Sequence, residues 1–329
     1  MMKKIVVIGS NSFSGSNFVD LILREDTQVI GISRSPEPNP VFLTYRKNHN
    51  RAFSFHQLDL NNDLPRIMEV ICEFQPAYIV NFAAQGMVAE SWHYPEHWFQ
   101  TNVVANVKLH DQLRRCEFLE KYVHISTPEV YGCSEGLVKE NISYNPSTPY
   151  AVSRAAADMS LMSFYRTYNF PVVFTRAANV YGPTQQLYRI IPRTILYFLV
   201  KKKLKLHGGG HSVRSFIHIR DVARGTWKVA QTSPSGEIFH FSTRENISIR
   251  SLVQMIADQL GVSFEDNVEL TEDRLGKDAA YLLDSTKATE MLGWEAQISL
   301  EQGIEETIEW VKNDLDELKT QPFHYIHKP

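Results

Sequence analysis

Tyr150 and Arg154 stand four residues apart, and the segment Ser126-Thr-Pro-Glu-Val-Tyr-Gly132 precedes them. Residues i and i+4 share one face of a helix, so the phenol and the guanidinium point into the same cleft. A cation favours the phenolate, so Arg154 should pull the pKa of Tyr150 down from about 10 towards neutrality. Tyr150 is therefore a candidate general base for an alcohol, and Thr127 can hydrogen-bond the same hydroxyl. Glu129 could abstract or return a proton at a neighbouring carbon. Tyrosine followed at this spacing by a basic residue is also common on solvated helices, so the pair needs support from elsewhere in the chain.

That support begins at Gly9-Ser-Asn-Ser-Phe-Ser-Gly15, which follows the apolar run Ile5-Val-Val-Ile8. A strand running into such a turn, with a helix after it, sets backbone N–H groups and a helix N-terminus against a pyrophosphate. Gly9, Ser10, Asn11, Ser12, Phe13 and Gly15 are the candidate cradle. Ser12 replaces the usual middle glycine and can still offer an N–H and a hydroxyl. At the end of the second strand, a dinucleotide fold for NAD carries an acid. Here Ser33 and Arg34 stand instead, which suits a 2′-phosphate, so NADP is open beside NAD; the alternative is that Arg34 is a surface residue. Asp59 and Leu60 could cap an adenine, or Asp59 is only a turn residue.

The elements that must position these residues alternate. Strands are expected at Lys4–Ile8, Gln28–Ser33, Phe53–Leu58, Ala77–Phe82, Tyr122–Ser126 and Val172–Arg176. Helices are expected at Ser16–Arg24, Leu64–Phe74, Trp98–Cys116 and Tyr150–Tyr168. The alternation predicts an α/β fold, a Rossmann-type doubly wound parallel sheet with helices on both faces. After Gly182 the pattern loosens around helices at Ile249–Leu260 and Leu300–Asn313. The expected division is a dinucleotide-binding domain over 1–182, with later segments returning to it, and a smaller α/β substrate domain over 183–329.

Composition narrows the class. A net charge of -3, from 34 basic and 37 acidic residues, speaks against a nucleic-acid partner or a membrane surface. The run Ile190–Val200 contains Pro192 and Arg193 and is too short to span a bilayer. Cys72, Cys116 and Cys133 form no CxxC pair or disulfide framework, which points to a reducing cytoplasm. His207 and His211 flank glycines without further ligands at metal spacing, so no metal is expected. His324 and His327 read as solvated, Lys201–Lys203 as a wet helix end, and Trp92 and Trp98 as packing residues.

Taken together, the chain resembles the nucleotide-sugar epimerases and dehydratases of the extended short-chain dehydrogenase/reductase family over nearly its whole length. Asn81-Phe-Ala-Ala84 is similar to the family's segment beneath the nicotinamide, which implies cofactor contacts from Phe82, Ala83, Ala84 and Gln85 as well as Tyr150 and Arg154. Thr101-Asn102-Val103 resembles the helix start that follows it. Asn179-Val-Tyr-Gly-Pro183 and Ile190-Ile-Pro192 resemble its sugar-nucleotide loops, and Arg214-Ser-Phe-Ile-His-Ile-Arg-Asp221 its diphosphate strand. Glu272-Asp-Arg274, Gly276, Asp278, Tyr281, Asp284, Lys287 and Leu292-Gly-Trp294 keep the order seen in dTDP-glucose 4,6-dehydratases. Arg34 and the stretch from Gln85 to Pro95 look more like GDP-mannose dehydratases.

The resemblance implies substrate contacts from Ser91, Thr127, Asn179, Arg189, Ile191, Pro192, Arg214, Arg274 and Asp278. It implies a tightly held NAD or NADP, and removal of water from a nucleotide-linked hexose to give a 4-keto-6-deoxy sugar. It also implies a homodimer through a four-helix bundle built from the two long helices. Three positions depart from the pattern: Ser12, Arg154 in place of lysine, and Pro128, which has no proton for the departing hydroxyl. A 4-epimerase or a UDP-glucuronate decarboxylase of the same family needs no donor at 128. A dinucleotide-binding protein without catalysis is the alternative of another class.

Overall fold

The computed structural model describes residues 2–46, 52–133, 136–272 and 282–328. Its frame is a parallel sheet. Strand β1 (Lys3–Ile8) buries its last four residues on both faces, as a central parallel strand must. Helix α1 (Phe13–Ile22) returns to β2 (Thr27–Ser33), and β3 (Phe53–Gln57) closes that edge. On the other side of β1 come α2 (Leu64–Phe74), β4 (Tyr78–Asn81), α3 (Pro95–Phe99), α4 (Asn106–Leu113) and β5 (Lys121–Ile125). The short β6 (Leu137–Val138), the long α5 (Pro149–Tyr168) and β7 (Val172–Ala177) follow.

The sheet order is β12-β7-β5-β4-β1-β2-β3, where β12 is Ile238–Phe241, and every pairing in it is parallel. The chain thus reverses direction about β1, and its neighbours β2 and β4 open a crevice at their carboxyl ends, the place where such sheets bind ligands. This is the doubly wound fold that the alternation predicted.

One expected element is different. The stretch read as a single helix from Trp98 to Cys116 is α3 and α4 joined by a π-helical turn at Gln100–Ala105. The sequence gives no sign of it, because the residues on both sides of the turn remain helical and only the facing of the later side chains rotates, by about 100°. The turn carries the buried Asn102.

After β7 the chain forms β8 (Asn179–Tyr181), α6 (Ile190–Leu199), β9 (Leu204–His207), β10 (Val213–Arg214) and β11 (Phe216–His218). Helix α7 (Ile219–Thr232) then packs on the sheet beside α1, and β12 joins β7. Strand β13 (Ile247–Ser248) leads into α8 (Ile249–Leu260). A second core forms where Ile191 and Ile195 of α6, Leu252 and Ile256 of α8, and Ile304 and Ile308 of the helix Leu300–Asn313 meet. Among the described residues no helix is long and apolar enough to cross a membrane. Nor do the described residues hold a cluster of metal-ligating side chains. The cysteines are free, though the thiols of Cys72 and Cys116 lie in contact.

Candidate active site

The turn after β1 is built more tightly than its glycines alone convey. Gly9 has φ +82°, and a Cβ there would lie 2.7 Å from the amide of Ala83. A Cβ on Gly15 would lie 2.1 Å from the carbonyl of Gly9. The turn and the segment Phe82–Ala83 that follows β4 therefore touch backbone to backbone. Ser12 caps α1: its hydroxyl donates to Gly9 O at 2.7 Å and accepts from Gly15 N at 3.1 Å. Its own N–H also goes to Gly9 O, at 3.0 Å. The expectation that Ser12 offers an N–H and a hydroxyl to a ligand is thus corrected, since both are spent inside the turn. The amides of Phe13 and Ser14, at the first two helical positions, have no intrahelical acceptor and face the crevice end of the helix.

The second strand braces the turn. The Asn11 amide donates to Ser33 Oγ at 3.2 Å, and Ser10 Oγ lies 3.5 Å from the same oxygen. The Asn11 side chain donates to the carbonyls of Ser35 and Pro36 at 2.9 and 3.1 Å. Arg34 donates to the carbonyl of Lys328 at 3.1 Å. Asp59 accepts from the Asn61 amide and the Asn62 side chain, both at 3.0 Å, which is the turn role, and Leu60 is buried in the core of the sheet. A shaped turn, an open helix end and a polar rim at β2 suit a dinucleotide, with its pyrophosphate at α1.

Tyr150 opens α5, whose N-cap Thr148 accepts from Ala151 N. Three buried side chains hold its backbone. Ser91 Oγ accepts the Tyr150 amide at 3.2 Å and donates to Val88 O at 2.6 Å. Ser153 Oγ donates to Tyr150 O at 2.7 Å and accepts from Asn102 at 2.9 Å. Asn102 accepts from the Gln85 amide at 2.8 Å and donates to Gln85 O at 3.1 Å. The π-helical turn thus aims one amide at both the segment after β4 and the start of α5. Ser91, expected as a sugar contact, is buried and supports Tyr150, with its hydroxyl proton and one acceptor site used there.

Around the phenol stand Thr127, which hydrogen-bonds it, and the charges of Glu129, Arg154 and Arg189. The net effect on its pKa is upward, not downward as the sequence led us to expect. Burial is the largest cause and Glu129 adds to it, and together they outweigh Arg154, Thr127 and Arg189. Arg154 is itself buried, with Nη2 donating to the carbonyl of Ile125 and lying 3.3 Å from His124 Nε2. Its guanidinium is therefore held against the edge of β5.

The expected sugar-side residues are spread more widely. Ile191 and Pro192 are buried in α6, and Ile191 packs in the second core. Arg189, the N-cap position of α6, is exposed and lies over the ring of Tyr188. The Asn179 side chain donates to Ser215 O at 3.1 Å, and Arg214 donates to Val213 O at 2.8 Å. Arg274 and Asp278 lie outside the described residues. Of the tryptophans read as packing residues, Trp98 is fully buried but Trp92 is 62% exposed.

Reading by motif missed a polar network behind the site. Asp158 lies one turn beyond Arg154 on α5 and accepts from Arg176 at 2.8 Å and Ser126 at 2.6 Å. His124 lies between Asp158 and Arg154, at 3.4 and 3.3 Å. The signal was present as an acid at the same spacing of four.

Comparison with known proteins places this geometry. Residues 6–307 match the sequence model of the GDP-mannose 4,6 dehydratase family. A probable dTDP-glucose 4,6-dehydratase of Sinorhizobium fredii is 30% identical over 323 residues, covering 93% of this chain and 92% of that protein. The dTDP-glucose 4,6-dehydratase of Streptomyces antibioticus is 32% identical, covering 94% and 92%. Among solved structures, a dTDP-glucose 4,6-dehydratase of Streptomyces venezuelae with NAD bound superposes with a TM-score of 0.88 at 28% identity, covering 95% of this chain and 98% of that one. A UDP-glucose 4-epimerase of Thermotoga maritima with UDP-glucose gives 0.87 at 26% identity, covering 95% and 99%.

Proposed function

The chain belongs to the GDP-mannose 4,6-dehydratase family, and from that premise we propose that it is an NAD(P)-dependent nucleotide-sugar 4,6-dehydratase. The observation that carries this reading is the phenol of Tyr150, hydrogen-bonded by Thr127 and set between Glu129 and two arginines at the crevice end of β5. The relatives' substrates favour a dTDP-glucose type of sugar, with a GDP-sugar as the alternative. A bound NAD(P), held by the turn between Gly9 and Gly15 and by the polar rim at Ser33 and Arg34, would supply the hydride acceptor and donor for the sugar carbons.

The chain's own residues handle the protons. Tyr150 takes the proton of the 4-hydroxyl while Thr127 steadies the same oxygen. The resulting 4-keto group acidifies the C5 hydrogen, which Glu129 removes. Pro128 has no proton to give, so Glu129 also supplies the one that leaves with the 6-hydroxyl as water. The proton held on Tyr150 balances the one regained at C5. Tyr150 is half-buried, and its partly desolvated surroundings strengthen the nearby charges.

Two finer points belong to the same reading. Phe99 and Val104 on the α3–α4 stretch, and Val152, Met159 and Tyr168 on α5, are large apolar residues left exposed on neighbouring elements. They would be covered if two copies paired these helices as a four-helix bundle. The three free thiols suit a reducing cytoplasm.

Pro128 also favours a second reading, a 4-epimerase, in which C4 chemistry stops short of water loss. Mass spectrometry after incubation with dTDP-, GDP- and UDP-sugars separates the two. Loss of one water supports the dehydratase, an unchanged mass with inverted C4 supports the epimerase, and loss of carbon dioxide indicates a decarboxylase.

A further inference from the structure

Residues 323–328 run from the second core, where Phe323 packs by Tyr197, to the residues that follow β2 and β4, alternating inward and outward: positions 323, 325 and 327 are partly buried and 324, 326 and 328 exposed. Tyr325 packs edge-on against Tyr188, ring centroids 5.5 Å apart, within the fields of Arg34, Glu90 and Arg189. His327, read from sequence as solvated, is corrected here. Its ring lies parallel to those of Tyr94, His97 and Trp98, with centroids 5.6, 5.1 and 5.1 Å away. Its Nε2 is 2.9 Å from His97 Nδ1.

Lys328 closes the arrangement. Its carbonyl accepts from Gln85 at 2.7 Å and from Arg34 at 3.1 Å, and its ammonium donates to Ser35 at 3.1 Å. Arg34 and Ser35 follow β2, on the side of the crevice where the adenosine ribose binds in this class of sheet. Gln85 follows β4, beyond the segment that abuts the phosphate turn. One backbone carbonyl therefore ties together the two banks of the crevice, and the aromatic stack anchors the segment beside it.

We propose that residues 325–328 form an outer wall of the dinucleotide site, a strap that closes over the bound cofactor and slows its escape. The proposal rests on the dinucleotide reading of the crevice. It fits that chemistry, because a cofactor that gives back its hydride within each cycle gains nothing by leaving. Opening must break the bonds from Gln85 and Arg34 to one carbonyl and pull His327 out of its stack, so release is gated by the strap.

The test is the rate at which NADH, and separately NADPH, leaves the full chain on dilution into excess oxidised cofactor, followed by nicotinamide fluorescence. Replacing His327→Ala should speed release at least about tenfold, and removing residues 325–329 should speed it further. The variant His327→Phe keeps a ring in the stack and should retain most of the slow release. Far-ultraviolet circular dichroism and the urea midpoint of His327→Ala should match the parent. Unchanged release in His327→Ala overturns the proposal. So does a gain in affinity from faster association alone on removal of 325–329, because the segment would then compete for the crevice. If the parent binds neither nucleotide, the dinucleotide reading falls as well, and that failure is told apart from a strap that has no effect on a bound cofactor.

Discussion

Helix α5 turns one face towards two very different surroundings. At its start, Tyr150 meets charges that oppose each other: Glu129 and burial hold the proton on, while Arg154 and Arg189 draw it off. Two turns later, Asp158 meets charges that agree. Burial is the largest single influence on its carboxyl and pushes it up, but Arg176, His124 and Ser126 together bring it down to about 2. Arg176 in turn reaches Tyr131, Tyr144 and the carbonyl of Asn141, and Tyr131 lies 2.8 Å from His240. The same spacing of four thus yields a group held ready to exchange a proton and a group locked in one state. The difference lies in whether donors and counter-charges converge on the same form of the acid. Arg154 stands between them.

The sharpest way to break this comparison is at its two ends. Tyr150→Phe removes the group that exchanges a proton but keeps the ring. Turnover should fall about a thousandfold, while nucleotide-sugar affinity and the urea midpoint stay close to the parent. Steady-state kinetics beside equilibrium binding checks this, and unimpaired turnover would remove Tyr150 from the chemistry. Asp158→Asn should do the reverse. It leaves the Arg176 charge buried without its partner, at a cost of roughly 3 kcal/mol in unfolding free energy. Urea unfolding measures the loss. A variant as stable as the parent would show that the network behind the site is not the locked end.

Why one end could be read from the sequence and the other could not follows from the same contrast. Tyr150, Thr127 and Glu129 are chemically distinctive at short spacing, and β1 with its glycine turn announces a crevice. Asp158 is as regularly spaced, yet its partners come from β5, β7 and the residue after β5, which only the sheet order β7-β5 brings together. The π-helical turn was hidden for a local reason, since the chain stays helical on both sides of it and only the facing of later side chains rotates. Ser91 and Ile191 show the limit of a motif: each sits in a segment placed by resemblance, yet both are buried, Ser91 beneath the start of α5 and Ile191 in the second core. His327 reads as solvated from sequence because a short extended tail gives no sign of where it docks, whereas its ring stacks on Tyr94, His97 and Trp98.

A smaller effect separates the two ends by pH. The folded carboxyl of Asp158 titrates near 2, below its ordinary 3.8. Its ion pair therefore stabilises the fold fully above about pH 4, and that contribution, on the order of 2 kcal/mol, is lost as pH falls towards 2. His240, lowered to about 3 first by burial and then by Arg176, acts in the same direction but from pH 6.5 downwards. The difference in urea stability between the parent and Asp158→Asn should thus be flat from neutral pH to about 4 and shrink only below it. His240 is common to both proteins, so its loss lowers both curves and leaves their difference unchanged; a difference that already closes between pH 6.5 and 5 would show that the carboxylate is not held near 2.

The smallest effect concerns the residue in the middle. A lysine at 154 would keep a positive charge near Tyr150 but lose the planar fork that reaches Ile125 O beside His124. Tyr150 acts only after losing its proton, so any loss of the nearby cation raises its pKa and moves the rising limb of kcat against pH to higher pH. Arg154→Lys should therefore shift that limb by less than about one pH unit and change the plateau only a few-fold. Arg154→Ala should shift it further in the same direction, because burial and Glu129 would act on the phenol with one opposing cation fewer. If both variants leave the limb where it was, Arg154 belongs with Asp158 as a purely structural charge, and the boundary between the two ends of the helix lies one turn earlier, at Tyr150 itself.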